Sequence, residues 1–389
     1  LFFKVRTSEE VFEILKGFCP CDEETVLLGD ALNRIIFRAI TAPEDLPEFS
    51  RSTMDGYAVR ARDTFGATES LPALLESSGE VMMGRAPEGT VTPGKAIRIS
   101  TGGMMPEGAD AVVMIEYCHN LDEGTIEVSR SVSPLENVIR KGDDLKKGAV
   151  IFEKGFILRP QDLGLLAGLG IEKVSVFKRP RVAIISTGDE VVPIDKRPGP
   201  GQVRDINSYT LSAFCTSAGA IPVNMGLCRD SFSDLKEMVA KGLEDADTLW
   251  ISGGSSVGVR DITVQVLESF SGMELLAHGI SISPGKPTII ARIGDKAVFG
   301  LPGHVASAMV VAEVFLTPFL AGLSGDTKAY EDSHFYISAE LKRNIESASG
   351  RDDYIRVKLL KRDGRYYAEP VFGKSGLIST LVEAHGLVK

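Results

Sequence analysis

Between Arg181 and Leu323, short apolar runs alternate with segments whose apolar residues recur every three or four positions. That is the pattern of strands feeding helices in a doubly wound, mainly parallel sheet. It predicts strands over 182–186, 221–227, 248–252, 288–293 and 297–301, and helices near 208–218, 233–243, 261–269 and 305–320. Ahead of this region, Val11, Ile14, Leu15 and Phe18 follow Thr7 at helical spacing, and Leu32, Ile35 and Ile36 after Asp30 predict a second helix. Pro43 and Pro47 then force extended chain. From about Ser50 to Ser133 short alternating runs and glycine turns predict β structure, and helical spacing returns from Gln161 to Leu169 before Gly170. The β-rich block thus reads as an insertion between two parts of one helical layer. The tail reads as strands over 335–337, 354–359 and 366–368, the last two joined at Asp363-Gly364. The expected organisation is multidomain α/β plus β: a discontinuous helical linker domain (1–42 and 134–170), an inserted β-rich domain (43–133), an α/β domain (171–323) and a C-terminal β domain (324–389).

The run 305–323 is nearly long enough to span a bilayer, but Glu313 and Pro318 interrupt it, so a buried core helix is expected and no membrane association. No charged-then-apolar leader opens the chain, which starts at Leu1 rather than Met, compatible with a residue or more preceding it. With 43% hydrophobic and 25% charged residues, the 389-residue chain has the profile of a soluble globular protein. The formal charge of -10 excludes a general nucleic-acid binder and means that any anionic ligand needs a local cluster of donors or a cation. Five scattered cysteines without a C-x-x-C pair suggest a reduced, cytoplasmic chain. Cys19 and Cys21, the one close pair, read as two thiols at a helix end rather than a metal or redox site.

Candidate chemistry gathers where strands break into glycines. The stretch from Asp247 through Ser252-Gly253-Gly254-Ser255-Ser256-Val257-Gly258 is one such turn, and Ser186-Thr187-Gly188-Asp189-Glu190 and Gly300-Leu301-Pro302-Gly303-His304 are two more. Glycine lets backbone N–H groups approach an anion, and a following helix N-terminus adds partial positive charge. Asp189, Glu190, Asp230 and Asp261 stand at the carboxyl ends of the predicted strands, where open α/β sheets bind ligands. Carboxylates repel phosphate unless a cation lies between, which implies Mg2+; helix capping accounts equally well for Asp230 and Asp261, but not for Glu190. Lys286 lies in Ser283-Pro284-Gly285-Lys286-Pro287, where two prolines and a glycine restrict the loop and lower the entropy cost of holding an oxyanion. His304 is the only histidine on a candidate loop, and a histidine at a helix start is more often structural. From spacing alone, Asp55 and Thr101 belong to ordinary hairpin turns, and the charged turn around Asp144 is a solvated one.

Taken in order, Met54-Asp55-Gly56-Tyr57-Ala58-Val59, Ser100-Thr101-Gly102-Gly103 with Pro106-Glu107-Gly108-Ala109-Asp110, Ser186 to Glu190, Ser252 to Gly258, Pro284 to Pro287 and Gly300 to Gly303 resemble the MoeA family, the molybdopterin molybdenumtransferases related to the gephyrin E domain. The resemblance spans nearly the whole chain. It implies an elongated homodimer of four-domain subunits with a MogA-like molybdopterin-binding α/β domain and a C-terminal β-barrel, the site lying between the α/β domain of one subunit and the inserted domain of the other. It implies functional roles for Asp55, Thr101, Asp144, Glu190, Asp230, Asp261, Lys286 and Ser375, with Glu190, Asp230 and Asp261 holding Mg2+. Gly188, Ser252, Gly253, Gly254, Ser255, Gly258, Pro284, Gly285, Pro302 and Gly303 would line the cofactor site. The implied reaction takes adenylylated molybdopterin and molybdate or tungstate, inserts the metal at the dithiolene and releases AMP. Molybdopterin adenylyltransferase and molybdoenzyme apoproteins are the implied partners.

This sequence departs from the family pattern at Ser283, where members usually carry Lys, and at His304-Val305, where they read Asn-Pro; it also ends at Lys389, where they continue. His304 is expected to replace part of the lost donor. Two alternatives are a non-catalytic molybdopterin-binding scaffold, which would have no need of the carboxylates, and a molybdopterin adenylyltransferase, which would not need the inserted domain or the barrel.

Overall fold

The computed structural model describes residues 4–253, 257–331 and 336–389, and of residues 257–261 the backbone alone. The chain forms two compact units: Leu1–Phe37, Lys154–Arg159 and Lys173–Lys389 in one, Arg38–Glu153 and Pro160–Glu172 in the other.

The first unit is built on a six-stranded sheet. Its elements in chain order are β1 (Arg181–Thr187), α1 (Asn207–Ser217), β2 (Ile221–Cys228), α2 (Phe232–Asp245), β3 (Thr248–Gly253), α3 (Val257–Glu268), β4 (Met273–His278), β5 (Ile289–Ile293), β6 (Lys296–Leu301) and the helical stretch α4 (Val305–Leu323). The strand order is β2-β1-β3-β6-β5-β4, parallel across the first four and antiparallel at β5 and β4. Helices cover both faces, so the central strands are apolar throughout, and successive side chains enter opposite cores. Ile184, Trp250 and Phe299 pack with Phe315 and Phe319 of α4 on one side, while Ile185, Leu249, Ile251 and Val298 pack against α2 and α3 on the other. Each such fully buried side chain contributes about 1.5–3 kcal/mol over an exposed one. The α4 stretch is apolar enough to cross a membrane, but two-thirds of it is buried in this core.

The helix Ser8–Lys16 forms as predicted. Thr7 and Glu10 make a reciprocal capping box, and Val11 and Leu15 enter the core beside α4. The second N-terminal helix does not form. Only a short 3-10 turn, Leu28–Asp30, appears. Asn33 takes φ +60°, and the N–H groups of Asn33, Ile36 and Phe37 donate to Leu158, Phe156 and Ser175, so the segment runs extended. Three apolar residues over five positions fit either conformation, and these long-range bonds decide it. Unpredicted strands Glu23–Leu27 and Lys173–Phe177 pair antiparallel beside it. At the C-terminus a four-stranded sheet contains Glu340–Leu341, Ile355–Arg362, Arg365–Pro370 and Gly386–Val388. Its first strand lies at Glu340–Leu341, not at 335–337, of which Phe335 is outside the described residues.

The second unit carries the β-rich block. Ala111–Met114, Gly56–Val59, Lys95–Ile99, Ala73–Glu80, Thr125–Val128 and Cys118–Asn120 form, in that order, a mixed six-stranded sheet. The helix Pro160–Gly168 belongs to the same unit.

Candidate functional site

In the first unit the carboxyl ends of β3 and β6 open onto a cleft of about 360 Å³. Gly253 closes the end of β3, and a Cβ there would lie 2.0 Å from Thr187 Oγ1 and 2.4 Å from its carbonyl oxygen, so only glycine fits. Pro302, Gly303 and His304 form the wall after β6, and Ser283 to Pro287 the facing wall. Gly285 adopts φ +118°, a conformation that glycine alone takes easily, and this turns Lys286 toward the cleft. The strand Ile282–Ser283 pairs in parallel with Asp352–Asp353, and the Tyr354 N–H donates to Ser283 O at 2.8 Å. That pairing brings Arg351 to the cleft, to which the turn following the strand Arg365–Pro370 also contributes Ser375. Arg351 Nε donates to Asp353 Oδ1 at 2.9 Å, and Ser375 Oγ lies 2.9 Å from His304 Nδ1, one donating to the other. A small cleft whose partly apolar lining carries Lys286, an Arg351 paired with Asp353, a hydroxyl and an imidazole can hold a compact oxyanion.

The structure therefore gathers Gly253, Pro284, Gly285, Lys286, Pro302, Gly303 and Ser375 in one place. Ser252 is buried just beneath, its Oγ accepting from Asn207 Nδ2 at 2.7 Å. Gly254 and Ser255 lie outside the described residues. Gly258 and Asp261 are on α3, and the Asp261 side chain is outside the described residues as well.

Gly188, Glu190 and Asp230 lie past the ends of β1 and β2. The Asp230 N–H donates to Asp189 Oδ1 at 3.3 Å, while Asp230 Oδ1 is buried with no hydrogen-bond partner. Burial, then repulsion from Asp189 and Glu190, pushes the Asp230 carboxyl above the ordinary aspartate range. A divalent cation beside Asp230 would offset both effects. Among the described residues no three metal-ligating side chains converge.

In the second unit Asp55 and Thr101 meet. Asp55 Oδ1 accepts from the Thr101 N–H at 2.6 Å and from its hydroxyl at 2.9 Å, and these bonds, the backbone one first, hold the exposed carboxyl below its usual range. Asp144 is exposed, and its N–H donates to Leu46 O at 3.0 Å. Away from these sites, burial and the nearby Asp247 push the Cys21 thiol up to about 12, the opposite of a reactive thiolate.

Three family profiles cover most of the chain: the MoeA N-terminal region (domain I and II) matches residues 6–170, a probable molybdopterin binding domain 183–322, and the MoeA C-terminal region (domain IV) 338–389. The molybdopterin molybdenumtransferase of Haemophilus influenzae is 34% identical over 368 residues, covering 94% of this chain and 89% of that protein. The chain belongs to the MoeA family. The molybdopterin molybdenumtransferase of Bacillus subtilis is 31% identical over 393 residues, covering 98% of this chain and 90% of that protein. The crystal structure of the molybdopterin biosynthesis MoeA protein of Pyrococcus horikoshii superposes with a TM-score of 0.84 at 37% identity, over 99% of this chain and 94% of that one.

Within this MoeA-family fold, two residues at the site escaped the sequence reading. Arg351 is brought in by a strand pairing that no local pattern announces, and Asn207 sits at the start of α1 without a motif of its own. Ser283 and His304, where the resemblance leads to the expectation of lysine and asparagine, line the same cleft as Arg351.

Proposed function

We propose that this chain inserts molybdate or tungstate into adenylylated molybdopterin, releasing AMP in the presence of Mg2+, as a step of molybdenum cofactor biosynthesis. The observation that carries the reading is the convergence of Lys286 and Arg351 with Ser375 and His304 on one cleft at the carboxyl ends of β3 and β6. A tetrahedral dianion needs compensating charge and several short donors: Lys286 supplies charge, and Arg351, its charge partly offset by Asp353, adds N–H donors beside Ser375 and His304. Arg351 provides a cation on the wall where Ser283 stands in place of lysine.

In this reading the Gly253 turn and the Pro302-Gly303 wall hold the pterin and phosphate, and Lys286 and Arg351 orient the oxyanion beside the dithiolene. Glu190 and Asp230, joined by Asp261, are the side chains that would hold Mg2+, whose charge would offset that of the phosphoanhydride. Asp55 and Thr101, with Asp144, would complete the site from the partner protomer of a homodimer, with Asp55 held ionised by its two bonds from Thr101. A cytoplasmic location agrees with five free cysteines. Molybdopterin adenylyltransferase would supply the substrate, and molybdoenzyme apoproteins would accept the product.

The test is AMP release from adenylylated molybdopterin by the purified chain with Mg2+, with and without molybdate or tungstate. Release that depends on the oxyanion is expected, and the preferred anion identifies the metal. Intact protein that binds the pterin and releases no AMP would instead be a scaffold.

A further inference from the structure

We propose that Asn207 is a positioning residue that ties the two ligand loops of the cleft together; the inference rests on the reaction proposed above. Its Nδ2 donates to Ser252 Oγ at 2.7 Å, at the end of β3, and to Gly303 O at 2.9 Å, in the loop after β6. An amide nitrogen carries two hydrogens, so both are engaged. β3 and β6 are parallel neighbours, with Ser252 opposite Leu301, so their loops lie side by side and Asn207 bridges them from the start of α1. Asn207 is not itself part of the cleft wall. It acts through Ser252 and Gly303, and Gly303 leads directly into His304.

The bridge has a rigid root. Asp205, buried two residues earlier, accepts from Ser186 Oγ at 3.0 Å and from the Ser208 N–H at 3.1 Å, which pins the start of α1 to the end of β1. Upstream, the Val203 N–H donates to Glu190 O at 2.9 Å and the Asp205 N–H to Val192 O at 2.9 Å. The backbone at Glu190 and Val192 is thus tied to the segment that leads into Asn207. Ser252 Oγ accepts from Asn207, which leaves the hydroxyl hydrogen of this buried residue to donate elsewhere. A phosphate oxygen seated on the Gly253 turn would be such an acceptor.

Asn207→Asp keeps the shape and removes both hydrogens, setting an anionic oxygen against the Gly303 carbonyl and drawing the Ser252 hydroxyl hydrogen to itself. The test measures molybdopterin affinity by fluorescence quenching, together with thermal melting, for the full chain and its N207D, N207A, S252A and N207A/S252A variants. N207D is expected to weaken molybdopterin binding about tenfold or more, and N207A about five- to tenfold. The double variant is expected to lose clearly less than the product of the two single losses, because one of the two arms of Asn207 acts through Ser252 while the other, to Gly303, is its own. Losses that multiply in the double variant would overturn the proposal. So would an N207A chain that melts earlier yet binds molybdopterin like wild type, which marks a purely structural role. If N207D does not fold, the N207A and S252A cycle decides alone. Wild-type protein that binds no molybdopterin would overturn the functional reading and this inference together, whereas equal binding by wild type and N207A overturns this inference only.

Discussion

Thr101 closes on Asp55 twice, its N–H and its hydroxyl donating to the same carboxylate oxygen at 2.6 and 2.9 Å. Both bonds favour the ionised form and hold the Asp55 carboxyl below its usual range, so whatever depends on this charge is present above the ordinary aspartate pKa and is lost as pH falls through the lowered value. Thr101→Val removes the hydroxyl and leaves the N–H. The acid limb of the pH–activity profile should therefore move to higher pH in T101V, with the neutral-pH rate reduced. An unchanged acid limb would mean that Asp55 is not the group that sets it.

Asp230 is perturbed in the opposite direction. Burial and the charges of Asp189 and Glu190 raise its carboxyl pKa, so the folded state binds a proton that the unfolded state has released. Stability without metal is therefore greatest below the ordinary aspartate pKa and falls as pH rises toward the raised one. Asp230→Asn removes this cost, and the metal-free variant should melt at a higher temperature than wild type at neutral pH. It should also lose most of the stabilisation that millimolar Mg2+ gives wild type. Calorimetric melting with Mg2+ and with chelator tests both, and equal Mg2+ stabilisation of wild type and D230N would remove Asp230 from the ligand set.

His304 and Ser375 share a hydrogen bond inside the cleft that holds Lys286 and Arg351. If the imidazole supplies a donor that Ser283 cannot, His304→Ala should weaken molybdate binding about tenfold, roughly 1.4 kcal/mol. Ser283→Lys should strengthen it by adding a charge on the opposite wall. Isothermal titration with molybdate reads both, and an H304A affinity equal to wild type would end the compensating role of His304.

Gly253→Ala places a methyl group 2.0 Å from Thr187 Oγ1 and 2.4 Å from its backbone oxygen. Two parallel strands must separate to admit it, at a cost of about 1–3 kcal/mol. Chemical denaturation should show that loss, and molybdopterin binding should fall with it because the same turn forms the floor of the cleft. Wild-type stability in G253A would contradict the close approach.

The sheet and its glycine turns were legible because they are local. A run such as Leu249 to Ile251, breaking at Ser252-Gly253, marks both a buried strand and the place where a backbone can meet an anion. Lys286, Gly285 and Pro302 were legible in the same way. Arg351 was not, because it reaches the cleft through the pairing of Ile282–Ser283 with Asp352–Asp353, a register set by tertiary contact. Asn207 was missed for a related reason: an asparagine at a helix start is commonplace, and its meaning lies in Ser252 and Gly303, far off in sequence. The helix expected around Leu32 to Ile36 failed where extended hydrogen bonds to Leu158, Phe156 and Ser175 outweighed a weak helical spacing.

The division of the candidate residues between two compact units leads to the most demanding prediction. Asp55 and Thr101 belong to one unit and Lys286, Arg351 and Ser375 to the other. If each active site of a homodimer takes Asp55 from one protomer and Lys286 from the other, Asp55→Asn and Lys286→Gln should each inactivate both sites of their own dimers. In a mixed dimer one site collects both substitutions and the other collects neither. Denaturing and refolding the two inactive variants together at equal ratio should form half mixed dimers, each with one intact site, and so restore roughly a quarter of wild-type AMP release. The same protocol with either variant alone should restore nothing, and size-exclusion chromatography with light scattering must show dimers throughout. If the mixture stays as inactive as its components while dimers exchange freely, the two residues serve the same site from a single chain, and the shared-site arrangement is wrong.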